Sequence, residues 1–334
     1  MKTLVTGGGG FLGSRIAQML DERGDDVLVL GRSRYPHHER TGIATIRADI
    51  RDRDALRRAF QGVEVVFHTA ALAGIWGPRK LFWETNVEGT RNVIDSCLAN
   101  GVSKLVFTST PSVVIGPTDL RGVDESVPYP KRYLAEYPRT KAVAERLVLA
   151  SNGPSLATVA LRPHLIWGPG DPHLIPRVVR AAEAGRLFQV GDGRNLVDIT
   201  YVDNAAFAHL CAAQKLSMPS NCSGRPFFVS QGEPVALWPW LADVLVAAKA
   251  PPVSRRVSYR SAFAVGAFLE GVHRAIRPSV EPRMTRFLAV QLAKSHFFDI
   301  SAARGDLGYE PRVSSEEGFR HLAAWLPGVA QVSK

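Results

Sequence analysis

Thr3-Leu4-Val5-Thr6-Gly7-Gly8-Gly9-Gly10-Phe11-Leu12-Gly13 is the stretch that decides the fold of this chain. An apolar run enters a glycine-rich turn, and Phe11, Leu12, Ile16 and Leu20 then recur at helical spacing. Strand, turn and helix follow one another in the order a dinucleotide-binding unit requires. Gly7, Gly10 and Gly13 form G-x-x-G-x-x-G, one residue away from the commoner G-x-G-x-x-G. The physics is the same in both. Glycines let the backbone approach a pyrophosphate, and the helix N-terminus offers free N–H groups and a partial positive charge.

Working outward, strands are expected at 3–6, 26–30, 43–47, 64–69, 104–109 and 157–162, with helical periodicity between them. That alternation predicts an α/β fold with a doubly wound parallel Rossmann sheet over residues 1–163. From residue 164 to 334 the pattern is irregular and rich in Pro and Gly, and is read as mainly a smaller, mostly helical substrate lobe. A strand is expected at Val197–Val202 and a helix at Asp203–Lys215. Residues 225–330 are expected to build most of the cap, and Ser314-Ser315-Glu316-Glu317 has capping-box spacing for its last helix.

Tyr137-Pro138-Arg139-Thr140-Lys141 carries the chemistry. A Tyr and a Lys four apart share one helical face. An ammonium beside a phenol favours the phenolate, so the Tyr137 pKa is expected to fall from about 10 towards neutrality. Such a phenol serves as a general acid or base for a carbonyl/alcohol pair. Upstream, Leu105-Val106-Phe107 runs into Thr108-Ser109-Thr110, a strand ending in three hydroxyls. Ligands of parallel α/β sheets bind at the carboxyl ends of strands, so one of these hydroxyls can address the same oxygen as the phenol.

The chain has 334 residues, is 46% hydrophobic and 22% charged, and carries a formal charge of +10. These values suit a globular enzyme with a large core or two domains. The basic residues are dispersed and form no nucleic-acid module, so an anionic cofactor, acyl carboxylate or membrane is the expected partner. Cys97, Cys211 and Cys222 show neither metal spacing nor pairing, which points to a reduced cytoplasm. No signal peptide or membrane span is read from the sequence.

Nearly the whole chain resembles the extended short-chain dehydrogenase/reductases. The further matching pieces are Asp49-Ile50, His68-Thr69-Ala70-Ala71, Asn86-Val87-Glu88-Gly89-Thr90, Leu161-Arg162-Pro163, Trp167-Gly168-Pro169-Gly170-Asp171 and Leu307-Gly308-Tyr309-Glu310-Pro311. The resemblance implies that Thr110, or its neighbour Ser109, supplies a catalytic hydroxyl and that Tyr137 is the acid/base. Lys141 would tune Tyr137 and hold the nicotinamide ribose, with Asn86 in a proton relay. It further implies that Gly7, Gly10, Phe11, Leu12 and Gly13 hold the pyrophosphate, Asp49 and Ile50 lie beside adenine, Ala70 and Ala71 flank the ribose and pyrophosphate, and Pro163 touches the cofactor. It returns the 197–215 segment to the nucleotide-binding domain, and it implies a homodimer formed through helices near 81–99 and 133–150.

The second strand ends in Gly31-Arg32-Ser33-Arg34, with no carboxylate at its tip. A carboxylate there would repel a 2′-phosphate, whereas a guanidinium binds it. NADP(H) is therefore expected over NAD(H), with Arg32 and Ser33 as clamps. Sugar-nucleotide members of the family carry an Arg where this chain has Val197, which disfavours such substrates. Leu72, Ile75, Trp76, Val113, Val114, Leu165, Ile166 and Trp167 offer an apolar wall for a greasy acyl or steroid skeleton.

Segments 68–90, 107–117 and 161–209 resemble the 3β-hydroxysteroid dehydrogenase branch, and within it the bacterial reductases of 2-alkyl-3-keto acids in long-chain olefin biosynthesis. That implies NADPH-dependent reduction to a 2-alkyl-3-hydroxy acid. The alternatives are a 3β-hydroxysteroid or sterol-4-carboxylate dehydrogenase, and a non-catalytic dinucleotide sensor. Arg139, His164 and His173 are candidates for a carboxylate partner. Finally, Ala262, Phe263, Val265, Phe268, Leu269 and Val272 form an apolar helical face with Arg260 and Arg274 near its ends. A buried cap helix is the expected explanation, and a peripheral membrane helix the alternative.

Overall fold

Every residue of Val65–His68 and of Ala157–Pro163 is buried, as a parallel sheet covered on both faces requires. The computed structural model describes residues 1–332, with side chains described as far as Leu326. Seven parallel strands make the main sheet. Their order across it is Arg225–Val229, Ala157–Pro163, Lys104–Thr108, Val65–His68, Lys2–Thr6, Asp26–Gly31 and Ala44–Arg47. The direction of winding reverses beside Lys2–Thr6. Its last residue, Thr6, is in register with His68 on one side and Leu30 on the other. A crevice therefore opens above Gly7.

Alternate side chains feed two cores, as the pleat dictates. Val5, Val29, Phe67, Val106 and Val159 face one layer with Ile16, Leu20 and Ala205. Leu4, Leu30, Val66, Leu105 and Ala160 face the other with Phe60, Val93 and Val148. The helix Phe11–Glu22 buries Leu12, Ile16, Ala17 and Leu20 on the sheet. It is clamped to the helix Val202–Lys215 by a two-pronged Arg15–Asp203 pair, with Nε 2.8 Å from Oδ1 and Nη2 3.1 Å from Oδ2.

A second, four-stranded sheet runs Val235–Ala236, Leu196–Val197, His296–Phe298, Leu120–Val123. It backs onto a third core of Trp167, Ile175, Trp238, Trp240, Val244 and Leu322. The last helix starts at Ser315, and the Ser314 hydroxyl accepts the Glu317 N–H at 3.1 Å, the capping contact its spacing predicts.

Three expectations change. The strand expected at Val197–Val202 is split: Leu196–Val197 joins the second sheet, Thr200–Tyr201 pairs with Ile166–Trp167, and the helix begins at Val202. Arg225–Val229 is the seventh strand of the main sheet rather than part of the helical cap. Its Phe227 and Phe228 are fully buried, and Pro226, which cannot donate to a ladder, is tolerated on an edge strand. The helix Tyr259–Ile276 is not a buried cap helix. It buries Ala262, Gly266 and Glu270, while Phe268 is 70% exposed.

Candidate active site

The glycine turn is shaped by contacts that leave no room for side chains. Gly7 has φ +70°, and a Cβ there would lie 2.8 Å from the Ala70 backbone. A Cβ on Gly13 would lie 2.4 Å from the Gly7 carbonyl oxygen, which already accepts the Gly10 N–H at 2.9 Å. The turn thus presents bare backbone and the start of the Phe11–Glu22 helix to the crevice, the chemistry a pyrophosphate needs.

That crevice is a cleft of about 470 Å³. Gly7, Gly10, Phe11, Leu12, Gly13, Arg32, Asp49, Ile50, Ala70, Ala71, Ser109, Tyr137 and Lys141 all line it. Three expected residues do not. Ser33 is exposed beyond the strand tip, Pro163 is buried as the last residue of its strand, and Thr110 is half-buried with its hydroxyl turned to Ser112. Asp49 reaches the cleft with its carboxylate held by Arg51, Nη2 to Oδ2 2.8 Å, which keeps it below the usual carboxylate range.

The helix Glu136–Ala150 carries Tyr137 and Lys141 to the ends of the central strands. The phenol is pushed up to about 12 by burial, only partly opposed by the polar Thr110 side chain. The expected fall towards neutrality is therefore not found. The reason is that Lys141 Nζ donates to the Thr108 carbonyl at 2.6 Å and lies 4.0 Å from the centre of the Phe107 ring, rather than engaging the phenol. Burial also depresses the Lys141 ammonium to about 7, and Glu145, one turn on, opposes the drop. Glu145 is itself fixed by buried Arg162, whose Nη2 donates to it at 2.6 Å.

The Thr110 hydroxyl also pairs with Ser112 Oγ at 2.8 Å. Ser109 Oγ is buried with no hydrogen-bond partner in the protein, and Ser109 lines the cleft, so this hydroxyl is free to meet a ligand. Asn86 clasps the loop that follows Ala71, accepting the Leu72 N–H at 2.7 Å and donating to the Leu72 carbonyl at 3.1 Å and to Thr140 at 3.0 Å. Bare glycine backbone, an unpartnered hydroxyl and a cation at the strand tip together fit a nicotinamide dinucleotide.

Of the three carboxylate-partner candidates, only His173 lines the cleft. Arg139 is taken up by Glu136, Nε to Oε2 2.8 Å, and His164 is buried against His296 at 2.6 Å. Of the apolar wall, Ile166 lines the cleft, and Ile75 and Trp76 line a neighbouring cavity. Val113, Val114 and Trp167 are core residues instead, with Trp167 packed edge-on against Tyr201 and Trp240.

Sequence reasoning missed Tyr35. Its ring lies directly over the backbone of Gly9 and Gly31, where a Cβ would come within 1.8 Å and 2.1 Å of it. His38 secures this segment through a 2.8 Å hydrogen bond to the Gly8 carbonyl. The signal available was an aromatic residue four positions past the strand end, next to Pro36.

With this geometry in view, the known proteins are informative. The family model for the 3-beta hydroxysteroid dehydrogenase/isomerase family matches residues 4–253. The chain belongs to that family. A 2-alkyl-3-oxoalkanoate reductase of Stenotrophomonas maltophilia is 48% identical over 327 residues, covering 97% of this chain and 99% of its own. The 2-alkyl-3-oxoalkanoate reductase of Shewanella oneidensis is 46% identical, covering 96% and 85%. The mouse sterol-4-alpha-carboxylate 3-dehydrogenase, decarboxylating, is 32% identical over 96% of this chain and 91% of its own. Among solved structures, a Thermus thermophilus UDP-glucose 4-epimerase in complex with NAD superposes with a TM-score of 0.74 at 26% identity, covering 98% and 99%. The chain is an extended short-chain dehydrogenase/reductase in fold, and an NAD(P)-dependent oxidoreductase of a hydroxyl/ketone pair.

Proposed function

We propose that this enzyme reduces a long-chain 2-alkyl-3-keto acid to the 2-alkyl-3-hydroxy acid with NADPH. The observation that carries the reading is the Tyr137 phenol, raised to about 12 by burial and lining the glycine cleft together with Lys141 and the unpartnered Ser109 hydroxyl. A phenol so raised stays protonated at neutral pH, which suits a proton donor for reduction. Identities of 46–48% to 2-alkyl-3-oxoalkanoate reductases favour the keto acid.

When bound, NADPH supplies the hydride that reaches the ketone carbon. The Tyr137 hydroxyl and a hydroxyl from Ser109 or Thr110 hold the ketone oxygen and polarise it. Tyr137 then gives its proton to that oxygen as negative charge grows there. Lys141, in its ammonium form one helical turn from Tyr137, stabilises the resulting phenolate by its charge. Asn86 and Thr140 connect this helix to the loop at Leu72 and keep Tyr137 in place. Glycine backbone takes the pyrophosphate, Ile50 and Asp49 border adenine, and Tyr35 closes the adenosine end. Arg32, at a strand tip with no carboxylate, meets a 2′-phosphate.

Residues 1–163 with the helix Val202–Lys215 form most of the nucleotide-binding part in this reading, and the strand at 225–229 joins them. Most of the remainder shapes the substrate side. Two copies pair through the helices Gly89–Ala99 and Glu136–Ala150.

A second reading, oxidation of a 3β-hydroxysteroid or sterol-4-carboxylate, is supported by the mouse relative. One experiment separates them: reduction of NADP⁺ with a long-chain 2-alkyl-3-hydroxy acid, beside reduction of NAD⁺ with a 3β-hydroxysteroid. Turnover of the hydroxy acid with NADP⁺ supports the first reading. Turnover of the steroid alone with NAD⁺ replaces both substrate and cofactor while leaving the Tyr137 chemistry intact.

A further inference from the structure

The helix Tyr259–Ile276 has one face docked and one face bare. Ala262, Gly266 and Glu270 face the protein, and a Cβ on Gly266 would lie 2.7 Å from the Thr285 carbonyl carbon. On the other side Val265, Phe268, Val272 and Ile276 recur at i, i+3, i+7 and i+11, the spacing of a continuous helical stripe. Val265 is 50%, Phe268 70% and Ile276 72% exposed. Of the eight large hydrophobic residues exposed among the described residues, four fall between 265 and 280, so this is a patch and not scatter.

The unpaired charges around the stripe are of one sign. Arg260, Arg274, Arg277 and Arg283 are exposed on or just after the helix. Its single acid, Glu270, is buried and occupied by Arg286 at 2.7 Å, and Glu281 is paired with Arg177. An apolar stripe bordered by guanidinium groups, whose nearby acids Glu270 and Glu281 are each paired with an Arg, complements the interface of an anionic bilayer. Among the described residues no helix is long and apolar enough to cross a membrane, so such contact would be peripheral.

We propose that this helix seats the protein on an anionic lipid surface. The end of the stripe adjoins a second cavity. This cavity of about 320 Å³ is walled by Trp76, Phe82, Arg274 and Pro278, and by Leu134 and Ala135, which lead into Tyr137. Arg274 and Pro278 flank Ile276 in the chain, so the end of the stripe and the wall of the cavity are one segment. Trp76 ties the cavity loop to it, its Nε1 donating to the Pro278 carbonyl at 2.9 Å.

The test is flotation of the full chain with vesicles of phosphatidylglycerol and phosphatidylcholine, beside phosphatidylcholine alone, at low and high salt. The wild type should float with the anionic vesicles and be partly released by salt. The Phe268→Glu/Ile276→Glu double variant, altered only at exposed sites, should keep its melting temperature and bind anionic vesicles at least ~10-fold less. Absence of flotation by the wild type, or undiminished flotation by the double variant, overturns the proposal. So does a wild-type dimer that the double variant splits without either protein floating, which assigns the stripe to a second copy.

Discussion

Lys141 is buried and Tyr137 half-buried in the cleft, and desolvation moves them in opposite directions: the phenol up to about 12, the ammonium down to about 7. Their spacing shows that they share a helical face, but not that Lys141 Nζ would be claimed by the Thr108 carbonyl. Spacing along a helix fixes proximity and says nothing about desolvation, which is why the sign of the Tyr137 shift was not legible. On the proposed NADPH reading, Arg32 is the residue with the most direct consequence for the choice of cofactor. Replacing it by Glu puts a carboxylate where a 2′-phosphate would lie. The expected result is a fall of ~10- to 100-fold in the ratio of kcat/KM for NADPH over NADH. An unchanged ratio would show that Arg32 does not meet the phosphate.

At the scale of elements, Gly266 sets how closely the helix Tyr259–Ile276 packs on Arg286–Ala293. Gly266→Leu should overpack that contact and cost about 1–3 kcal/mol, read as a lower denaturant midpoint. A stability equal to wild type would mean the two helices separate without penalty. The six strands from 3 to 162 were legible because each apolar run is bounded by turn residues and the helices between them keep their own period. Arg225–Val229 was not legible. A five-residue run opening on Arg225-Pro226 reads as a loop or a lobe strand, and only pairing with Ala157–Pro163 across a long connection assigns it to the main sheet. The apolar stripe at 265–276 misled for a related reason: periodicity shows that a helix has an apolar face, and packing decides whether anything covers it. In the cleft, the placement of the glycines and of Tyr137 was legible because backbone clearance has few substitutes and a Tyr and a Lys four apart must share one helical face. Tyr35 was not, because nothing local marks an aromatic ring that folds back onto Gly9.

The whole molecule holds several uncharged histidines in its interior. His68 is lowered to about 3, chiefly by burial, between Thr6 Oγ1 at 2.7 Å and Thr90 Oγ1 at 3.0 Å. His209 and His296 are lowered to about 4, again chiefly by burial. As pH falls below about 6.5, the unfolded chain takes up protons at these positions while the folded chain does not, so stability falls with pH until the folded values are reached. Each contributes on the order of 1.4 kcal/mol per pH unit in that window. Asp198, raised to about 6 by burial, works against them by one proton between pH 4 and 6. The melting temperature should therefore drop steeply from pH 6 to pH 4, and a flat profile would mean these histidines are protonated in the folded protein. The same exclusion of water that keeps them neutral keeps the Tyr137 proton in place, and the account of catalysis rests on that proton. Its most direct test is turnover of a long-chain 2-alkyl-3-hydroxy acid with NADP⁺ by wild type and by Tyr137→Phe, with NADPH affinity measured alongside. The account predicts turnover lowered ~100- to 10,000-fold in the variant with cofactor affinity unchanged; near-normal turnover by Tyr137→Phe would contradict it.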